Sequence, residues 1–132
     1  QLQRRELYRL ELIPGPPVTL QVPPPAEGRP ELSARALDLS GGGMAVAVRD
    51  EDQGRFAPGS QIDGCTVTLP DGGPPMPVRL QVAHVSRGQL LAGFPVRVGC
   101  RFVGLPRNAE QRILQYIFQV ERQRNARERR AV

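Results

Sequence analysis

Two short stretches, "RRELYR" (residues 4–9) and "DLSGGG" (residues 38–43), carry the residue types best suited to holding a ligand. In the first, Arg5 and Arg9 are four apart, so their side chains fall on the same side of either a helix or an extended strand. Two guanidiniums can then close on one object. Each offers a planar fork for a phosphate or a guanine edge and a flat face that stacks on rings. In the second, Asp38 and Ser40 project to one face from the end of a strand, and three consecutive glycines remove side-chain bulk beside them. Glycine permits positive φ and close backbone approach, at a cost in order, and a tight turn needs fewer than three. Taken alone, each motif also has a plain reading. The first is a pair of solvent-facing arginines in a charged lead-in, the second an aspartate and a serine opening an ordinary turn.

Candidates for catalysis fail quickly. His84 is the single histidine and lies in the strand-like "RLQVAHVS", with no second histidine for a metal and no cue for a nucleophile beside it. It reads as a packed or surface histidine. Asp50, Glu51 and Asp52 form a charge run with Arg49 and Arg55, as solvated loops do. Cys65 and Cys100 stand in separate apolar runs without zinc-site spacing and read as buried free thiols. No catalytic residue and no metal ligand emerges, and no enzyme is expected.

The net charge is +5 and the basic residues, 18 in all, are every one arginine. Without lysine, "GGG" belongs neither to a Walker phosphate loop nor to Schiff-base chemistry. Genomic base composition also accounts for an all-arginine set, so the excess alone names no ligand. No apolar run approaches the roughly 20 residues of a membrane helix and no signal-peptide pattern opens the chain. A cytoplasmic protein without membrane insertion is expected.

The elements that position these residues follow from pattern. At 132 residues the chain is one domain by length. Its 14 glycines and 14 prolines punctuate short runs that alternate in polarity, so the class is mainly β. Residues 1–16 are a lead-in segment that carries the arginines and is loosely held until something binds it. "VTLQV", "ELSARALDL", "GMAVAV", "IDGCTVTL", "MPVRLQVAHV" and "PVRVGCRFVG" read as strands, with "PDGGPP" and "SRGQLLAGF" as connections. The second and third form a hairpin around the glycines. Six such strands with short connections suggest a small barrel spanning residues 17–105. From 106 to 132 the period becomes helical: Pro106 sits at or near a first turn, Asn108 and Gln111 have capping-box spacing, and Ile113, Ile117 and Val120 form a stripe to pack on the barrel. Beyond Val120 the arginine-rich end reads as a solvated helix terminus.

An RxxxR motif followed about 30 residues later by DxSxxG, ahead of a β-rich chain with a terminal helix, closely resembles the PilZ family of bacterial receptors for cyclic di-GMP. The tail "GCRFVGLPRNAEQRILQYIFQVERQR" looks most like the C-terminal PilZ domains of flagellar brake proteins. The resemblance implies a single PilZ domain over 1–132, a six-stranded antiparallel barrel with a C-terminal helix. It also implies cyclic di-GMP binding through Arg4, Arg5, Arg9, Asp38, Ser40 and Gly43. The arginines take guanine edges, faces and phosphates, Asp38 accepts from guanine N–H groups with help from Ser40, and Gly43 keeps the turn low. No cofactor is implied. Arg4, just before the RxxxR pair, would cap an outer guanine, giving two ligand molecules per domain. Binding would draw the arginine segment across the barrel and change the shape shown to a protein partner, by analogy the flagellar motor. Two other classes remain. A nucleic-acid-binding barrel normally adds stacking aromatics, which are 5% here; a ligand-independent adaptor would not need the motif residues this chain keeps.

Overall fold

In the computed structural model of the chain the described residues are 8–25, 27, 28 and 30–131, the last two by backbone alone. Period-two alternation drives most strands: β2 (Thr19–Val22) buries Leu20 and Val22, and β3 (Leu32–Leu39) buries Leu32, Ala34 and Ala36. Likewise β4 (Gly43–Val48) sends Met44, Val46 and Val48 inward. β5 (Gln61–Thr68) buries Cys65 and Val67, β6 (Met76–Leu91) buries Val78, Leu80 and Val82, and β7 (Phe94–Phe102) buries Val96, Val98 and Cys100. The order β3-β2-β5-β6-β7-β4, with β4 pairing back onto β3, closes a six-stranded antiparallel barrel around one apolar core. Burial pushes the Cys65 thiol up to about 11 and the Cys100 thiol up to about 12, so both are held as neutral packing groups.

The lead-in is not wholly apart from the barrel. Residues Leu10–Glu11 form an extra strand, β1, on the edge of β3 that β2 also uses, with Leu10 opposite Leu39 and Glu11 opposite Asp38. The Leu12 amide donates to the Leu37 carbonyl at 3.0 Å, and Leu10 and Leu12 are in the core. Only residues 13–17 leave β3 before Val18 rejoins it, its carbonyl accepting from the Ala36 amide. The strand signal is the alternation of Leu10 and Leu12 with Arg9 and Glu11, which the prolines just after it obscure. The β6–β7 hairpin also runs further than expected: most of "SRGQLLAGF" is strand, Leu91 faces Phe94, and Gly93, at φ +84, supplies the left-handed turn. The acidic run Asp50–Arg55 is a 3₁₀ turn, with Asp50 paired to Arg87 at 2.6 Å.

Helix α1 (Arg107–Ala131) packs Ile113, Tyr116 and Ile117 into the barrel, with Val120 partly buried along the same stripe. It starts one residue before Asn108, so Pro106 caps it and the Asn108–Gln111 box is not its N-terminus; the Pro106 carbonyl accepts from the Glu110 amide at 3.0 Å. Arg112 fastens the helix to the β5–β6 turn. It donates to the Pro74 carbonyl at 2.6 Å and, through two nitrogens, to the Asp71 carboxylate at 3.0 and 3.4 Å.

Candidate functional site

A β-bulge decides where Asp38 points. Ala36 faces Val46, but the next pair is Asp38 with Ala45, so Leu37 is an extra residue in β3. Strict alternation from Ala36 would turn Asp38 into the apolar core; the bulge resets the count and places it on the outer face. There Arg9, one residue before β1, brings its guanidinium to 3.7 Å from the Asp38 carboxylate. Asp38 is nonetheless buried, at 8% exposure, and its Oδ1 accepts from the Ala45 amide at 3.1 Å.

Ser40 works on the backbone beside it. Its hydroxyl accepts from the Gly42 and Gly43 amides at 3.2 and 3.1 Å and donates to the Gly43 carbonyl, whose oxygen also takes the Ser40 amide at 2.9 Å. The hydroxyl therefore builds the β3–β4 turn. Gly41, Gly42 and Gly43 are not among the positive-φ residues, so the turn does not draw on left-handed backbone. Gly43 is needed for another reason: a Cβ there would collide with the Cys100 carbonyl of β7. Beyond the low turn expected of it, Gly43 is therefore demanded by the neighbouring strand.

Of the six residues expected at the site, the structure gathers Arg9, Asp38, Ser40 and Gly43 at the start of the β3–β4 hairpin. Arg4 and Arg5 lie outside the described residues. It adds two that the sequence reading passed over. Arg97 of β7 donates to Asp38 Oδ2 at 2.6 Å, and its other terminal nitrogen lies 3.3 Å from His84 Nε2. A second bulge, between Val82 and His84, brings His84 opposite Gly99, and a Cβ on Gly99 would sit 2.7 Å from the imidazole, so the ring lies directly over that glycine. Asp38, Ala45, Gly99 and His84 thus form one row across β3, β4, β7 and β6. To reach Asp38 on β3, Arg97 must cross β4, since β7 and β3 lie two strand spacings of about 4.8 Å apart. Ala45 and Ala47, small and on the outer face of β4, leave room for that crossing. The available signal was the outward series Arg97, Gly99, Arg101 in "PVRVGCRF", two arginines flanking a glycine.

A barrel closed by a β3–β4 hairpin, with an arginine-bearing segment laid beside an outward aspartate, defines a class. Residues 3–119 match the PilZ domain, and the chain belongs to that family. It is 46% identical to the flagellar brake protein YcgR of Azoarcus sp. (strain BH72), covering 98% of this chain and 50% of that protein. It is 39% identical to the YcgR of Thauera aminoaromatica, over 98% of this chain and 49% of the other. The chain thus spans about half the length of the curated relatives it matches. Among solved structures, YcgR of Escherichia coli in complex with c-di-GMP superposes with a TM-score of 0.74 at 20% identity, covering 95% of this chain and 49% of that one. The PilZ domain with c-di-GMP of the same E. coli protein gives 0.70 at 22% identity, covering 94% and 95%. These likenesses are of fold.

Proposed function

We propose that this domain is a receptor for cyclic di-GMP, held by Arg9, Asp38, Ser40 and Gly43 together with Arg4 and Arg5, and that binding regulates a protein partner, by analogy the flagellar motor. The observation that carries the reading is the Asp38 carboxylate. It is outward yet desolvated, at 8% exposure, and offers acceptors to the guanine N–H groups from beside the Arg9 guanidinium. Ser40 acts by shaping the turn under the ligand. The names of the relatives and the c-di-GMP in the E. coli neighbours support the same choice of ligand and output.

A route from site to partner surface runs through the first described residues. Arg9 meets Asp38, while Tyr8, immediately before it, hydrogen-bonds Glu121 of α1, which raises the Tyr8 hydroxyl above its ordinary range, partial burial adding to the effect. A ligand that draws Arg9 toward itself pulls on the same segment that rests on the helix, changing the face it presents.

Isothermal titration with cyclic di-GMP tests the reading directly. The unmutated chain binds, and Arg9→Ala or Asp38→Ala each weakens binding by about 1.5–3 kcal/mol while the thermal melt is retained. Arg129→Ala, at the exposed end of α1, leaves affinity unchanged. Equal binding by all variants rules the assignment out; a loss at Arg129 as large as at Arg9 points to a diffuse polyanion surface instead.

A further inference from the structure

Asp38 has more acceptor capacity than the protein itself uses. An ionised carboxylate offers about four lone-pair sites. Oδ1 takes the Ala45 amide and Oδ2 takes Arg97, with Arg9 at ion-pair distance from Oδ1. Each oxygen keeps an acceptor position, and Arg97 stands on the Oδ2 side with its donors beside them. The outer face therefore sets carboxylate acceptors beside guanidinium donors. Guanine's pairing edge presents the complement: the N2 amino group and N1–H donate, and O6 accepts. Adenine, with an amino donor where guanine has O6, sets donor against donor at Arg97.

We infer that Arg97 is a specificity-determining residue of this site: its guanidinium takes guanine O6 while Asp38 takes N1–H and N2–H, so that the Asp38–Arg97 pair, rather than Asp38 alone, selects a guanine over an adenine dinucleotide. The inference rests on the reading of the domain as a cyclic dinucleotide receptor. Three features of the fold hold Arg97 for this task. Its stem crosses Ala45 and Ala47, which leave it room. Its NH2 is fixed on Asp38 at 2.6 Å, and its NH1 reaches His84 Nε2 at 3.3 Å, where the guanidinium, a donor only, uses the imidazole nitrogen as acceptor. Gly99 in turn lets the His84 ring lie flat against β7. His84 is thereby a positioning residue. A site that hydrogen-bonds a substrate group rejects the analogue lacking it far more strongly than an apolar pocket rejects a change of size.

Titration calorimetry of the full chain with cyclic di-GMP and cyclic di-AMP separates the possibilities, each variant being checked by its thermal melt. The unmutated protein favours the guanine dinucleotide. Arg97→Met keeps the apolar stem over β4 and removes the donors; it loses about tenfold in cyclic di-GMP affinity and little for cyclic di-AMP, so discrimination shrinks about tenfold. Arg97→Gln, too short to bridge β4 and uncharged, gives the same result if the methionine variant fails to fold. A discrimination ratio unchanged in the variants, or affinity lost equally for both nucleotides, overturns the role assigned to Arg97 while leaving the receptor reading intact. An unmutated protein that binds neither nucleotide overturns the receptor reading and this inference with it.

Discussion

At Gly43 a side chain has nowhere to go. The position it would take is filled by the Cys100 carbonyl, part of a ladder in which Gly43 pairs with Arg101 and Met44 with Cys100, so neither strand can shift without breaking neighbouring bonds. Gly43→Ala is accordingly expected to cost about 1–3 kcal/mol, as forced overpacking does. That is a fall in Tm on the order of 5–10 °C in a differential scanning calorimetry trace. Gly54→Ala is the control: nothing lies within 4 Å of the added carbon and its φ is not positive, so stability stays level or rises slightly. A tolerated Gly43→Ala would mean that the β4–β7 ladder yields where its geometry says it is rigid. The motif letter was legible in the sequence, but its reason was not, because the clash involves a residue 57 positions away along the chain. Asp38 was legible for the same reason of motif; its partner Arg97 was not, since only the two bulges and the β3-β4-β7 neighbourhood bring it there.

Between elements, the contact most open to test is the one holding α1 to the β5–β6 turn. The hydrogen bonds from Arg112 hold the Asp71 carboxyl below its ordinary range against the opposing effect of partial burial, with the Gly73 amide adding to the first. A carboxyl whose folded value is depressed contributes stability that is complete above its unfolded value, near 3.9, and is lost as pH falls through the lower folded value. The pair is partly exposed, so its worth is about 0.5–1 kcal/mol. Urea unfolding should find Asp71→Asn less stable than the unmutated chain by that amount at pH 6, with the gap closing as pH falls from 5 toward 2. A gap that persists at pH 2 assigns the loss to packing rather than to charge. Strands with clean alternation and the apolar stripe of the helix were readable from the sequence because period alone specifies them. β1 was hidden by four prolines within the next dozen residues, and "PDGGPP" read as a connection because a turn's tether to a distant arginine leaves no periodic trace. The helix start was legible from Pro106, whose fixed φ suits the entry to a helix, whereas the cap chemistry of Asn108 goes unused because the helix already runs from Arg107.

Across the whole molecule, arginines from distant parts of the chain converge on one carboxylate. Arg9 and Arg97 meet at Asp38, and Arg101 stands on the outer face opposite Gly43. Among the described residues these three arginines stand beside the carboxylates of Asp38 and Glu11; with Arg4 and Arg5 joining them at the ligand, as proposed above, five arginines would meet the four phosphate charges of two cyclic di-GMP molecules. The guanine bases add a geometric reason. Two molecules can intercalate so that their guanines stack alternately, and the outer guanine then needs a flat cation above it, which a guanidinium supplies and an aliphatic side chain does not. The prediction is therefore two molecules bound per domain in a calorimetric titration of the unmutated chain. Arg4→Leu should reduce the count to one, with the first molecule retained through Arg5, Arg9 and Asp38. A count of one for the unmutated protein refutes the paired mode whatever its affinity. An unchanged count of two in Arg4→Leu keeps the paired mode and moves the capping role to another of the five arginines, Arg101 being the next to substitute.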